Sequence, residues 1–226
     1  MYCRQCFAPL TDQKGFVKQD GSRQYPATVL LCSFTKPSKD KVSLLGHHDT
    51  VVMFHELGHG IHDLVSKTRF ARFHGPEGVA PDFGELPSQL LEQWFWIPSQ
   101  IKDFSLHYSY LSDETLRIWQ KANRGAKQPD KHMPDELVKA IMDARRFHFG
   151  PLFYLEQLQK AQFDMEIHML TAEKVESLDL GALWCDLAER FSPMNWIEPD
   201  EFGHGYAVFT HLMQKDYTAG FYSYLL

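Results

Sequence analysis

The chain has 226 residues, 44% of them hydrophobic and 14% aromatic, enough to bury a sizeable core and too many for a disordered tail or a disulfide-held miniprotein. Its 23 Lys and Arg against 29 Asp and Glu give a formal net charge of -6, which provides no electrostatic footprint for following a phosphate backbone, so nucleic acid is not an expected partner. The longest stretch without Asp, Glu, Lys or Arg, Phe202 to Gln214, holds two histidines and falls short of the roughly 20 apolar residues that a membrane span needs.

In chain order, Met1-Tyr2-Cys3-Arg4-Gln5-Cys6 has neither the apolar core of a secretory signal nor the Arg/Ser-rich look of a transit peptide. Cys3 and Cys6 have zinc-ribbon spacing, but a closed structural site needs four ligands and no second pair follows. Four cysteines in all are too few for a disulfide framework, so reduced thiols and a cytoplasmic setting are expected, ahead of a mitochondrial one. The strand signal is Ala27-Thr28-Val29-Leu30-Leu31-Cys32-Ser33-Phe34, preceded by the turn-like Asp20-Gly21-Ser22 and closed by Lys36-Pro37-Ser38, which predicts a small sheet or hairpin. From about Asp49 onward apolar residues recur at three and four, and helices are predicted near 113 to 124, 134 to 148, 151 to 170 and 179 to 191. Ser112, Pro134 and Asp179 supply the starts of three of them. The expected architecture is mainly α with a small β element near the N-terminus. It reads as a single domain over 1–226, with a strand-containing part in 1–50 and a helical part in 51–226.

The residues that carry chemistry lie in Phe54-His55-Glu56-Leu57-Gly58-His59-Gly60-Ile61-His62. On a helix, positions four apart are separated by one turn plus about 40°, so His55 and His59 project from one face. That spacing lets two imidazoles bind one Zn²⁺. Glu56 adjoins the first ligand and cannot share the metal comfortably, but it reaches a water beside it and is the natural general base. His62 lies seven residues from His55, roughly 10 Å along the axis, and one tetrahedral ion cannot use both without breaking the helix. A metzincin arrangement is excluded, because positions 62 and 65 are His and Val where that pattern needs Gly and His. The third ligand is expected to be a carboxylate from a following helix, with Glu77, Glu85 and Glu92 as the candidates.

The motif above, Phe70-Ala71-Arg72-Phe73, and Asp82-Phe83-Gly84-Glu85-Leu86-Pro87-Ser88-Gln89-Leu90-Leu91-Glu92-Gln93-Trp94 together resemble the zinc region of the thimet oligopeptidase, neurolysin and saccharolysin-type family. Upstream, Gln19-Asp20-Gly21-Ser22-Arg23-Gln24, Phe34-Thr35-Lys36-Pro37 and Ser43-Leu44-Leu45 also fit. The resemblance implies a zincin-like helical catalytic segment binding one zinc ion per chain. It assigns the third ligand to Glu85 and leaves Glu92 to support or pack against the site. Pro87 agrees, since it favours a helix start and puts Glu85 at that helix's mouth.

Toward the C-terminus the resemblance matches His211, Tyr217 and Tyr224 to residues that contact the substrate carbonyl and the developing oxyanion. Such chemistry calls for a neutral phenol or an imidazolium as donor. Three departures stand out: Gln214-Lys215-Asp216 replaces a glycine-rich loop with one residue more, Phe221 occupies a position usually held by tyrosine, and one extra residue lies between Phe73 and Glu85. Family members are considerably longer, so a partial chain is expected. The implied activity is zinc-dependent endopeptidase cleavage of internal bonds in short peptides. The alternative is a catalytically impaired zinc- or peptide-binding fragment of such an enzyme.

Overall fold

The computed structural model describes residues 14–32, 34–38, 42–192, 204–213 and 217–225. In chain order the helices are α1 (His47–Val65), α2 (Pro81–Gly84), α3 (Leu86–Glu92), α4 (Pro98–Phe104), α5 (Asp113–Ala122), α6 (Asp135–Asp143), α7 (Gly150–His168), α8 (Ala172–Val175) and α9 (Leu180–Phe191). Among the described residues the sheet is one antiparallel pair, β1 (Phe16–Val17) and β2 (Arg23–Gln24). The fold is therefore mainly α, as expected. The described part of Met1–Val79 with Pro87–Asp143 makes one compact unit, and the described part of Ala80–Leu86 with Ala144–Leu226 makes a second.

In the first unit, β1 and β2 pair Phe16 with Gln24 and Val17 with Arg23. Gly21, at φ 83°, supplies the left-handed residue of the turn, and the Ser22 N–H donates to Asp20 Oδ1 at 2.9 Å. Asp20-Gly21-Ser22 thus closes a hairpin upstream of the expected strand. Among the described residues of 27–34 only an isolated bridge at Ala27 forms, and Ser33 lies outside them. Val29, Leu30 and Leu31 have β propensity, but that preference is expressed by packing on neighbouring strands, and no ladder is present here to receive them.

The hairpin serves α1. The Arg23 guanidinium donates to the Ser66 and Thr68 carbonyls, placing a cation where the dipole of α1 ends. The last turn is held again through Asp63, which accepts from Thr28 Oγ1 at 2.8 Å and pairs with His74 Nε2 at 3.1 Å. His74 is 1% exposed, so this contact is buried. At the other end the Gly46 N–H donates to Asp49 Oδ2 at 3.0 Å, which caps the helix start in place of a side chain at Gly46.

The inner face of α1 buries Val51, Phe54 and Gly58, and Gly60 is buried on the opposite side against Thr28. Val51 and Phe54 form a core with Phe95, supported by Met53, Leu91 and Trp96. Phe54 meets Phe95 edge-on at 4.4 Å and Phe104 at 5.6 Å, geometries favoured by the ring quadrupoles. Gly58 is where α3 comes closest: a Cβ there would lie 2.5 Å from Ser88 Cα and 2.6 Å from the Pro87 carbonyl oxygen.

The predicted starts of α5 and α9 are present. Ser112 Oγ accepts from the Thr115 N–H at 3.2 Å, and Asp179 Oδ1 accepts from the Ala182 N–H at 3.0 Å, both satisfying a first-turn donor. The segment expected as one helix over 134 to 148 is α-helical only to Asp143 and continues as a π-helical stretch over Ala144–Phe149. The second unit packs Ala161 of α7 with Phe209 and Phe221, and Trp184, Leu212 and Tyr224 lie against them.

Gly58→Ala should lower stability by about 1–3 kcal/mol, because the methyl group meets the Pro87–Ser88 backbone of α3. Urea unfolding followed by far-UV circular dichroism measures this, and a loss below 0.5 kcal/mol would contradict the packing described.

Candidate functional site

The His-Glu-x-x-His stretch lies within α1, which runs unbroken from His47 to Val65. Phe54 and Gly58 turn inward, so His55 and His59, one position further round, share a neighbouring stripe. Their ring centroids are 5.0 Å apart. His62 follows on the same unbroken helix, so no kink brings it back to His55. Burial, followed by the neighbouring His59, lowers the His62 pKa from its ordinary value, which favours a neutral ring.

Of the three carboxylates read as possible third ligands, two belong to the same unit as the histidines. Glu77, on the short 3-10 turn Pro76–Gly78, pairs with Lys14 at 2.9 Å and its side chain is 59% exposed. Glu92 ends α3, and its Oε1 lies 2.6 Å from His55 Nδ1. The position of Glu92 follows from the packing described above. Pro87 and Ser88 rest on Gly58, Leu91 enters the Val51–Phe54–Phe95 core, and Glu92 is the next residue along α3. A carboxylate on Nδ1 fixes the tautomer and turns Nε2 to the opposite side of the ring, the arrangement of a metal-binding imidazole with its supporting acid. Two imidazoles one turn apart, one of them backed by a carboxylate, form a donor set suited to Zn²⁺. Glu56 is half-buried on the same helix.

The second unit contains the remaining sequence candidates. Glu85 sits at the junction of α2 and α3, in the αR region at φ -90° and ψ -10°, and is 3% exposed. This is the helix-mouth position anticipated from Pro87. Tyr217 donates to Glu85 Oε1 at 2.6 Å, and Tyr224 donates to the Tyr217 hydroxyl at 3.1 Å. The two phenol rings stack at 5.7 Å with an 18° interplanar angle. His211 lies 5.1 Å from the Tyr217 ring and 6.0 Å from that of Tyr224, edge-on to both. Glu85, His211, Tyr217 and Tyr224 therefore form one cluster, although 126 residues separate Glu85 from His211 in the sequence.

Burial, followed by the nearby Glu85 carboxylate, pushes the Tyr224 phenol far above its ordinary range, so it remains protonated and a donor. Burial, followed by the Lys160 ammonium, lowers the His211 pKa, and Glu85 opposes this only in part. The shift favours the neutral imidazole, whose one N–H can donate. Phe221 in the usual tyrosine position is 4% exposed and belongs to the apolar core, where a hydroxyl would need a partner of its own. The altered loop Gln214-Lys215-Asp216 and the Cys3/Cys6 pair lie outside the described residues. Residues that the sequence did not single out are Asp164 and His168 on α7. Their only advance signal is the i,i+4 spacing of an acid and an imidazole.

The model of peptidase family M3 matches residues 3–226. The chain is 36% identical over 210 residues to saccharolysin of Saccharomyces cerevisiae, covering 93% of this chain and 26% of that protein. It is 30% identical over 209 residues to oligopeptidase A of Escherichia coli, with coverage of 92% and 27%. It is 32% identical over 204 residues to the mitochondrial intermediate peptidase of Arabidopsis thaliana, with coverage of 89% and 25%. The chain thus spans about a quarter of the length of these relatives. Among the described residues no helix is long and apolar enough to cross a membrane.

A histidine whose pKa is lowered by folding takes up its proton first in the unfolded chain. Neutral His211 therefore contributes its full stability above the ordinary value of 6.5, and that contribution declines as the pH falls through 6.5 toward the folded value. An NMR titration of the His211 Cε1–H should give a midpoint below 6.5, and Lys160→Gln should move it upward. A wild-type midpoint at or above 6.5 would contradict the burial described.

Proposed function

Because the chain belongs to peptidase family M3, we propose that it is the metal-bearing segment of a zinc endopeptidase that hydrolyses internal bonds of short peptides. The observation that carries this reading is the 2.6 Å contact between His55 Nδ1 and Glu92, which supports a ligand role for Nε2 of His55 alongside His59 one turn on. Glu85 is the third ligand. Glu92 is engaged with Nδ1 of His55 and Glu77 with Lys14, which leaves Glu85 as the buried acid of the three candidates. Chain connectivity supports the same choice, since Glu85 precedes Pro87 by two residues and Pro87 rests on Gly58 of the histidine-bearing helix.

When bound, zinc supplies Lewis acidity, polarising the scissile carbonyl and lowering the pKa of a water toward about 7. Glu56 takes a proton from the attacking water and delivers it to the departing amine nitrogen as the C–N bond breaks. Tyr217, Tyr224 and His211 donate hydrogen bonds to the oxygen that gains charge in the tetrahedral intermediate. Partial burial of Tyr224 strengthens its bond by lowering the local dielectric. Short peptides as substrates and one zinc ion per chain are part of the proposal, as is a cytoplasmic location.

Glu56→Gln should retain about one zinc per chain by elemental analysis and lose at least about 100-fold in cleavage of a quenched fluorogenic peptide. Unchanged turnover would refute the assignment of Glu56. Glu92→Gln should weaken zinc binding by about 10–100-fold in competition with a chromophoric chelator. The short span relative to the relatives motivates the second reading, an impaired zinc- or peptide-binding fragment. Stoichiometric zinc in the wild-type chain without cleavage above background would favour it.

A further inference from the structure

Tyr217 and Tyr224 lie on a segment that has little secondary structure to hold it: a turn through Thr218–Gly220 leading into the 3-10 helix Phe221–Leu225. Ala219 in that turn has φ 54°, a left-handed conformation that an L-residue rarely adopts unless its surroundings impose it. The surroundings here are the carboxylate of Asp164 on α7. Asp164 is 0% exposed. Its Oδ1 accepts from the Ala219 N–H at 3.1 Å and its Oδ2 from the Phe221 N–H at 3.0 Å. One turn further along α7, His168 Nδ1 lies 2.9 Å from Oδ1 of the same carboxylate.

A buried charge with no compensation is strongly disfavoured, so this carboxylate must have its acceptors filled. The turn supplies two donors in fixed directions, and His168 Nδ1, bonded to the Asp164 carbonyl oxygen at 2.8 Å, stays within ion-pair distance of Oδ1. The amides that are held flank Gly220, between the two phenols. With both carboxylate oxygens used, the turn can neither rotate nor slide along α7 without unpairing a buried acid. Phe221 adds an apolar lock, packing edge-on to Phe209 at 4.7 Å.

We propose that Asp164, braced by His168, is a positioning residue whose carboxylate grips the Ala219 and Phe221 amides and so fixes the aim of Tyr217 and Tyr224. The proposal deepens the peptidase reading and rests on it for the purpose of the two phenols. The grip itself is independent of catalysis and is measured independently of it. Asp164 bonds the backbone between the two rings and acts through it.

The test uses the full 226-residue chain with Asp164→Asn, which keeps the shape but turns one acceptor into a donor, and His168→Gln, which leaves both amides engaged and removes only the brace. In the wild type, the Ala219 and Phe221 amides should be protected from hydrogen exchange, and the Tyr217 hydroxyl proton donated to Glu85 should give a downfield NMR signal. Asp164→Asn should lose protection at those two amides by at least 10-fold and lose or shift the hydroxyl signal, while amides of α1 exchange as before. Its kcat should fall by at least 10-fold with KM changed less than 3-fold, and His168→Gln should show the same pattern at smaller amplitude.

A folded Asp164→Asn chain that keeps the hydroxyl signal and both protections would overturn the proposal. If Asp164→Asn does not fold, His168→Gln decides by the same signals, and an unchanged Tyr217 resonance there would count against it. Loss of the two protections together with a peptidase that survives Glu56→Gln would leave the grip standing and remove the catalytic reading above it.

Discussion

Gly58 is the point on which the candidate site turns. With hydrogen in place of a side chain, the backbone of α3 approaches that of α1 to a distance at which a methyl group would overlap Ser88 Cα and the Pro87 carbonyl. This approach sets the rest. It carries Leu91 into the core around Phe54 and Phe95, and it delivers Glu92 to His55. The supporting acid of the histidine pair is placed by packing three to four residues away from the chemistry. The same constraint explains why the helix carrying the histidines is anchored at both ends, by Asp49 on the Gly46 amide and by Arg23 on the carbonyls that follow Val65. A helix that slid by a fraction of a turn would lose both the close approach and the acid.

The His-Glu-x-x-His pattern was legible because its chemistry is local. The helix period puts His55 and His59 on one face, the rise of roughly 10 Å over seven residues sets His62 apart, and α1 has the expected continuity. The starts of α5 and α9 were legible for the same reason, since Ser112 and Asp179 act on amides three residues on. The choice among Glu77, Glu85 and Glu92 was not legible from spacing, because it depends on which acid the packing of α3 brings to His55 and which is taken by Lys14. Family membership, carried by the match over residues 3–226, was visible from the motif and its neighbours.

What escaped the sequence reading was set by long-range contacts. The stretch Ala27–Phe34 has strand composition, but the turn before it closes a hairpin of its own and leaves Val29 to Leu31 with no ladder to join. The helix after Pro134 gives way to a π-helical stretch at Ala144, just before Gly150-Pro151, where proline removes an amide N–H from the regular ladder. Asp164 and His168 look like an ordinary i,i+4 pair on a solvated helix. Only the return of the chain 55 residues later shows that the acid is fully buried and engaged with backbone. The burial of His211 beside Lys160, which lowers its pKa, is likewise set by contacts distant in sequence.

The hydroxyl chain from Tyr224 through Tyr217 to Glu85 has a direction. Each phenol owns a single hydrogen and passes it toward the carboxylate, so the order of donors is fixed by the buried acid at the end of the chain. Besides its burial, Tyr224 lies in the field of Glu85, so the acid that accepts from Tyr217 keeps the outer phenol protonated as well. One buried charge therefore orients two hydroxyls at once, and removing it would leave both without a common direction.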